Sequence, residues 1–220
     1  MKTRIIPVIH YEHDEQALRN ANRVADAGCH GVFLIDMRGD NRRLVPMAQE
    51  IGKRHPRLAI GINHLGTDPL TSLRLNMEAG IGMTWTDAQP THSEAHDEAL
   101  QRELVDAIGA SGHELFVGVA FKHQLHEPDP VGAARRAVDL GFIPTTSGPA
   151  TGIAADATDI AALRAGLDEG SPLAIASGIS PDNHAAFAPH LTHVLVATGV
   201  SKTFHELDPS LLRRLMHENA

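Results

Sequence analysis

The chain reads as an α/β protein, a compact (β/α)₈ TIM barrel in which eight parallel strands close on themselves. Three observations predict it. Eight short β-rich apolar runs alternate strictly with eight amphipathic stretches over 220 residues. The strand runs carry little polar alternation, as expected when both faces are covered. Four of the amphipathic stretches open on the same signal, an Asp or Ser followed by Pro. Strand–helix repeats also suit an open doubly wound sheet, but eight regular units in this length fit a closed barrel with almost no insertions.

The elements follow in order. Strand 4–10 contains Pro7 and ends at His10, and helix 14–27 closes on Gly28, a left-handed terminator. Strand 31–37, helix 41–54 and strand 58–65 come next. Helix 69–79 opens on Asp68-Pro69, an N-cap with proline at the first helical position, and closes on Gly80. Strand 82–87, helix 94–110 and strand 115–122 lead to helix 130–140, which opens on Asp129-Pro130 and closes on Gly141. In that helix Val131, Ala134, Ala137 and Val138 recur at helical spacing, while Arg135, Arg136 and Asp139 take the other face. Strand 142–147 precedes helix 157–167, with Gly170 as its terminator, and then strand 173–178. Helix 181–191 opens on Ser180-Pro181, strand 193–199 follows, and helix 209–219 opens on Asp208-Pro209. No linker or low-complexity tract divides the chain, so residues 1–220 read as one barrel domain.

Composition narrows the partners. The formal net charge is −8, which disfavours nucleic acid, because a phosphate backbone is bound by clustered Lys and Arg. One Trp and one Tyr provide little surface for stacking bases. The single cysteine, Cys29, excludes a disulfide framework or a cysteine zinc site within the chain, and a reducing cytoplasm is the expected home. The start, Met1-Lys2-Thr3-Arg4, enters a strand too short and too Pro-interrupted for a signal peptide. No run approaches the length of a membrane span, so no membrane partner is expected. Assembly into a homo-oligomer is left open.

In a barrel of this kind the reactive end is the C-terminal mouth of the strands. The last two units end Ala176-Ser177-Gly178-Ile179-Ser180-Pro181 and Ala197-Thr198-Gly199-Val200-Ser201-Lys202. Small residues let bare backbone approach a ligand, and successive N–H groups beside a helix start attract an anion. Ser177, Gly178, Thr198, Gly199 and Ser201 are therefore the expected phosphate binders. The segment from Thr145 to Gly152 is a third glycine-rich loop, and its Thr146, Ser147 and Gly148 are expected to contact the ligand, together with Asn63 and His64 at the end of strand 58–65. Asp36, Asp87, Lys122 and His10 are the candidate catalytic residues: the carboxylates for acid/base work, Lys122 to offset ligand charge. A plain salt bridge between Asp36 and Lys122 is the alternative use of that pair. No cofactor is expected. A divalent metal held by His10, His64 and His123 with Asp36 or Asp87 is the lesser reading, because no H-x-H or H-E-x-x-H spacing supports zinc.

Four stretches carry a family likeness: Pro7-Val8-Ile9-His10; Ala59 to Leu65 with Asp68 to Gly80; Thr146 to Gly152; and Ser177-Gly178-Ile179-Ser180-Pro181-Asp182-Asn183 with Thr198-Gly199-Val200-Ser201-Lys202. With these the chain resembles the BtpA family. The resemblance implies a barrel of the phosphate-binding superfamily, similar to phosphoribosylanthranilate isomerase and thiamine phosphate synthase, and implies no particular reaction. Strand 82–87 departs from it, reading Met83-Thr84-Trp85-Thr86 where the family tends to carry Arg and Asn.

The function expected from the residues is an enzyme acting on a small phosphorylated metabolite, a phosphosugar or nucleotide-like compound. Isomerase, lyase or glycosidic C–N bond chemistry by carboxylate acid/base catalysis fits the candidate residues. The alternatives are a phosphoribosyltransferase-like enzyme, although the usual pair of adjacent acidic residues after an apolar strand is absent from Val32 to Asp40, and a non-catalytic BtpA-like assembly factor that keeps a phosphate site.

Overall fold

The structure, a computed structural model, describes residues 3–219. Met1 and Lys2, part of the expected leaderless start, and Ala220, the end of the expected domain, lie outside them. Eight strands form a closed parallel barrel in chain order: β1 (Arg4–His10), β2 (Gly31–Ile35), β3 (Ala59–Asn63), β4 (Met83–Thr86), β5 (Glu114–Gly118), β6 (Ile143–Thr146), β7 (Ala174–Ala176) and β8 (His193–Val196). The ring closes where Arg4, Ile5, Ile6 and Pro7 pair with His193, Val194, Leu195 and Val196. The helices are α1 (Asp14–Asp26), α2 (Leu44–Arg54), α3 (Pro69–Glu78), α4 (Glu98–Ile108), α5 (Pro130–Asp139), α6 (Ala157–Ala165), α7 (His184–Phe187) and α8 (Pro209–Glu218). Among the described residues no helix is long and apolar enough to cross a membrane.

Local chemistry accounts for most helix ends. The carboxylates of Asp68, Asp129 and Asp208 accept backbone N–H groups of Thr71, Gly132 and Ser210, with Pro at the first turn in each case. Gly28, Gly80 and Gly141 follow their helices at positive φ, as expected. Several boundaries differ from expectation: β5 ends at Gly118 rather than residue 122 and β8 at Val196 rather than 199, which leaves Lys122, Thr198 and Gly199 in loops, and three helix boundaries differ for local reasons. Helix α4 starts at Glu98 rather than residue 94, because Asp97 caps the N–H groups of Ala99 and Leu100. Ser180-Pro181 does not open α7: Asn183 accepts from Ser180 N and donates to Gly178 O, which makes a turn of that segment and delays the helix to His184. Gly170 lies beyond the end of α6, which Gly166 caps.

Two-residue periodicity sorts the strand side chains. Ile6, Val8, Phe33, Ile35, Met83, Trp85, Phe116, Ile143, Ala174, Ala176 and Leu195 pack together inside the ring. Ile5, Ile9, Val32, Leu34, Ile60, Ile62, Ile175, Val194 and Val196 face the helices. Phe33 fills the middle of the interior, edge-on to Trp85 and Phe116. Gly61 on the adjacent strand makes room for it, since a Cβ there would stand 2.2 Å from the Phe33 ring.

The N-terminal floor is polar. Arg4 forms an ion pair with Glu114, and its guanidinium lies 3.1 Å from His193 Nε2. Thr192 Oγ1 donates to Leu173 O, so at 2.7 Å it accepts from His193 Nδ1–H, which leaves Nε2 as the acceptor for Arg4. Burial above all, then the Arg4 charge, lowers the His193 pKa to about 4.

That value predicts an acid-sensitive fold. Folded His193 takes a proton only near pH 4, whereas an unfolded histidine takes one near 6.5. Between those limits the unfolded chain binds the extra proton, so stability falls as pH drops from about 6.5 to about 4. The loss should be of the order of 3 kcal/mol at the acid end. Urea unfolding at pH 7 and pH 4.5 should show a smaller drop for His193→Gln than for wild type; equal drops would remove His193 as the cause.

Candidate active site

The inward phase of the strands carries three polar groups to the mouth. His10 follows Ile6 and Val8 on β1, Asn63 follows Gly61 on β3, and Asp87 follows Met83 and Trp85 just past β4. The loop after β5 adds Lys122, and the ends of β7 and β8 add Ser177 and Thr198. His10, Trp85, Asp87, Lys122, Ser177 and Thr198 line one cavity of about 80 Å³, together with Thr151 and Gly152 of the loop after β6.

Asp87 and Lys122 are its two oppositely charging groups. Asn63 Nδ2 donates to Asp87 Oδ1 at 3.0 Å. Burial pushes the Asp87 carboxyl up, opposed by the Asn63 hydrogen bond and the charges of Lys122 and His123. Burial pulls the Lys122 ammonium down, opposed by Asp87. Lys122 Nζ donates to Ala176 O at 3.0 Å and stands 4.8 Å from the Phe121 ring centre. Both groups are shifted toward their neutral forms, which suits them to exchange protons with a ligand. The backbone that presents Phe121 and Lys122 is held at positive φ on both sides, 47° at Ala120 and 62° at His123, a conformation costly for such residues and common at functional sites.

His10 is the third member. Its Nδ1 lies 3.0 Å from Phe204 O, and its ring stacks on Phe204 with centres 4.2 Å apart. Burial lowers its pKa, against the pull of the Phe204 carbonyl and with help from His205 and Lys122. A neutral imidazole that donates from Nδ1 keeps Nε2 as an acceptor. Phe204 sits in a small hairpin after β8, joined at Ser201 and Leu207. Helix α1 holds that hairpin: Gln16 and Asn20 donate to His205 O, and Arg19 and Arg23 pair with Glu206.

The glycines of the last loops act through backbone contact. A Cβ on Gly148 would lie 2.0 Å from Ile153 O, on Gly178 2.2 Å from Ala154 Cα, and on Gly199 1.9 Å from Ile179 O. The loops after β6, β7 and β8 therefore stack directly on one another. Gly148 N donates to Ser177 Oγ at 3.2 Å, and Ser177 itself has φ 149°. Thr198 and Gly199 begin a 3₁₀ turn, whose first N–H groups have no partner within the turn.

Several expected positions are elsewhere. Asp36 does not enter the cavity: it is in phase with Val32 and Leu34, which face outward, and the Arg38 guanidinium and backbone N–H bind it at 2.8–3.0 Å. Arg38 holds its carboxyl below the usual range, and the alternative pairing with Lys122 is absent. His64 shares the outward phase of Ile60 and Ile62; its Nε2 lies 2.8 Å from Asn76 Oδ1, from which a buried chain runs through Thr84 to His113. The metal set of His10 and His64 is thus not assembled, and among the described residues no three His, Cys, Asp or Glu side chains group for a metal. Ser201 donates to Ala197 O rather than facing the cavity. Thr146, Ser147 and Gly148 line a larger neighbouring depression of about 650 Å³ between the loops after β5 and β6, and Ser147 Oγ accepts from Lys122 N at 2.8 Å. Trp85, Phe121 and Phe204 were not singled out from sequence as site residues. The phase of Trp85 with Asp87 is a usable signal for the first; Phe204 has none, since it reaches His10 from 194 residues away.

Stacked loops should tolerate no side chain at Gly199. Gly199→Ala should cost about 2–3 kcal/mol from overpacking, whereas Gly28→Ala, where φ is +75° but nothing lies within 4 Å, should cost about 1 kcal/mol. Urea unfolding of both variants checks the order; a reversed order would mean that the loops yield easily.

Comparison with known proteins gives fold neighbours only. No family model and no curated protein matches the chain, so the BtpA likeness rests on the sequence stretches alone. Among solved structures, the chain is similar to 3-hexulose-6-phosphate synthase from Salmonella typhimurium, at 15% identity over 100% of this chain and 98% of that one, with a TM-score of 0.73. It is similar to phosphoribosyl anthranilate isomerase from Thermus thermophilus at 18% identity over 98% of both chains, TM-score 0.66. Orotidine 5′-phosphate decarboxylase from Pyrococcus horikoshii OT3 matches at 14% identity over 96% of this chain and 99% of that one, TM-score 0.69. At such identities the likeness establishes the closed eight-stranded α/β barrel.

Proposed function

We propose that this barrel is an enzyme that acts on a small phosphorylated metabolite, a phosphosugar or nucleotide-like compound, by acid/base chemistry at its mouth. The observation that carries the reading is the meeting, in one cavity, of a partly buried carboxyl–lysine pair and a neutral-leaning histidine with the ends of β7 and β8. Asp87 acts as the acid/base, oriented by Asn63. Lys122 offsets negative charge on the ligand. His10 accepts a proton at Nε2. The N–H groups of Thr198 and Gly199, with the Ser177 and Thr198 hydroxyls, hold the phosphate. The neighbours named above, whose names refer to phosphate-bearing compounds, support the substrate class by analogy of fold. The chemistry that fits is isomerisation, lyase action or cleavage of a C–N glycosidic bond. A BtpA-like protein without catalysis would need the phosphate loops but not the raised Asp87 or the lowered Lys122, so the cavity favours the enzyme.

A volume of about 80 Å³ is small for a sugar phosphate. Phe121 and Lys122 line both this cavity and the larger depression beside it.

Calorimetric titration with D-ribose 5-phosphate, D-ribulose 5-phosphate and D-fructose 6-phosphate, each against its dephosphorylated twin, tests the proposal. At least one phosphate should bind tenfold or more tightly than its twin, a difference of about 1.4 kcal/mol. Lys122→Met should weaken it, and Asp87→Asn should abolish turnover while leaving binding. Equal binding of every twin pair would reduce the last loops to ordinary turns.

A further inference from the structure

Six buried side-chain polar atoms have no hydrogen-bond partner among the described residues, on Asn41, His64, Trp85, Thr91 and, twice, His184. Of these residues only Trp85 lines the mouth cavity. Its side chain is on the inward face of β4, two residues before Asp87, and it is 7% exposed. Edge contacts with Phe33 and Phe121, centres 5.9 and 6.2 Å away, fix the plane of the ring. A buried indole N–H nearly always finds an acceptor, and one left without is costly. Here the ring cannot turn away to water, because the interior packing holds it.

From this we propose that Trp85 is a ligand-binding residue whose Nε1–H donates to an oxygen at the deep end of the cavity, and that this oxygen is a carbonyl. The inference rests on the phosphosugar reading of the same site and adds the group that lies opposite the phosphate. The Lys122 ammonium and the Trp85 ring, whose buried N–H has no partner among the described residues, line the cavity together with the His10 imidazole and Asp87. Donors that converge beside a base stabilise an oxygen on which negative charge develops, and a carbonyl with an adjacent C–H is the group that develops it. The ligand class is then a phosphorylated hydroxyketone or hydroxyaldehyde. A plain polyol phosphate offers a hydroxyl in that place, a poorer acceptor.

Trp85 is the only tryptophan in the chain, so the indole of the intact wild-type protein gives one ¹⁵N–¹H signal. Three probes separate the outcomes: inorganic phosphate, D-ribulose 5-phosphate, and D-ribitol 5-phosphate, in which the carbonyl is reduced. The indole proton should move downfield with ribulose 5-phosphate, less with ribitol 5-phosphate, and not with inorganic phosphate. Trp85→Phe keeps a ring in the interior and removes the N–H; it should weaken ribulose 5-phosphate about tenfold or more, as for a lost hydrogen bond to a polarised group, and leave the affinity for inorganic phosphate unchanged. Binding of ribulose 5-phosphate with an unmoved indole signal overturns the Trp85 assignment. Equal shifts for the ketose and the polyol overturn the carbonyl. Failure of all three probes to bind overturns the phosphosugar reading and, with it, this inference.

Discussion

Closure of a parallel sheet under a coat of helices buries both faces of every strand, and the two-residue repeat of extended chain then decides what each side chain does. One face leads to the interior and, at its upper end, to the mouth. The other leads to the helix layer. Neighbouring carboxylates near a strand end can thus have unrelated lives. Asp87 follows Met83 and Trp85 into the cavity, where burial raises its pKa. Asp36 follows Val32 and Leu34 outward and is neutralised by Arg38. The interior must also be filled without strain, and the Phe33 ring against Gly61 shows how narrowly: one methyl group would not fit.

The mouth depends on contacts between loops as much as on strands. The segment after β7 touches the one after β6 backbone to backbone at Gly178, and the segment after β8 touches the one after β7 at Gly199, so none of the three can shift without the next. Ser177, at φ 149°, and the flanks of Lys122, at 47° and 62°, hold uncommon backbone conformations in the same region. A rigid, strained rim of this kind fixes where hydroxyls and N–H groups stand before any ligand arrives, which is the condition for electrostatic stabilisation to be effective.

Much of this was legible in the sequence because it is local. The Asp-Pro starts at 68–69, 129–130 and 208–209 cap helices through the carboxylate of the residue itself, and the count of eight units follows from such signals. His10, Asp87, Lys122 and Ser177, expected at the mouth because each follows the apolar part of a strand, line one cavity. The strand phase was not legible. Val32 to Ile35 and Ala59 to Ile62 are apolar throughout, so nothing in them tells an inward residue from an outward one, and Asp36 and His64 were assigned to the wrong side. Gly178 and Gly199 were visible, but the reason for them was not, because the atoms they avoid belong to other loops. Trp85 stood out only as part of the stretch Met83 to Thr86 that departs from the family likeness, and the role of Phe204 depends on a stack with a residue at the far end of the chain.

The same long reach has a consequence for how the protein comes to exist. His10 is fixed by a carbonyl from residue 204, and β1 pairs with β8, so the first and last parts of the chain complete each other. During translation the opening strand emerges with one edge lacking a neighbour and must wait for nearly the whole polypeptide to follow. A barrel of high contact order folds slowly, and a truncated product would lack both ring closure and the hairpin that sets the imidazole. A chain cut before the last hairpin therefore keeps seven of the eight units yet loses the carbonyl that sets the His10 imidazole.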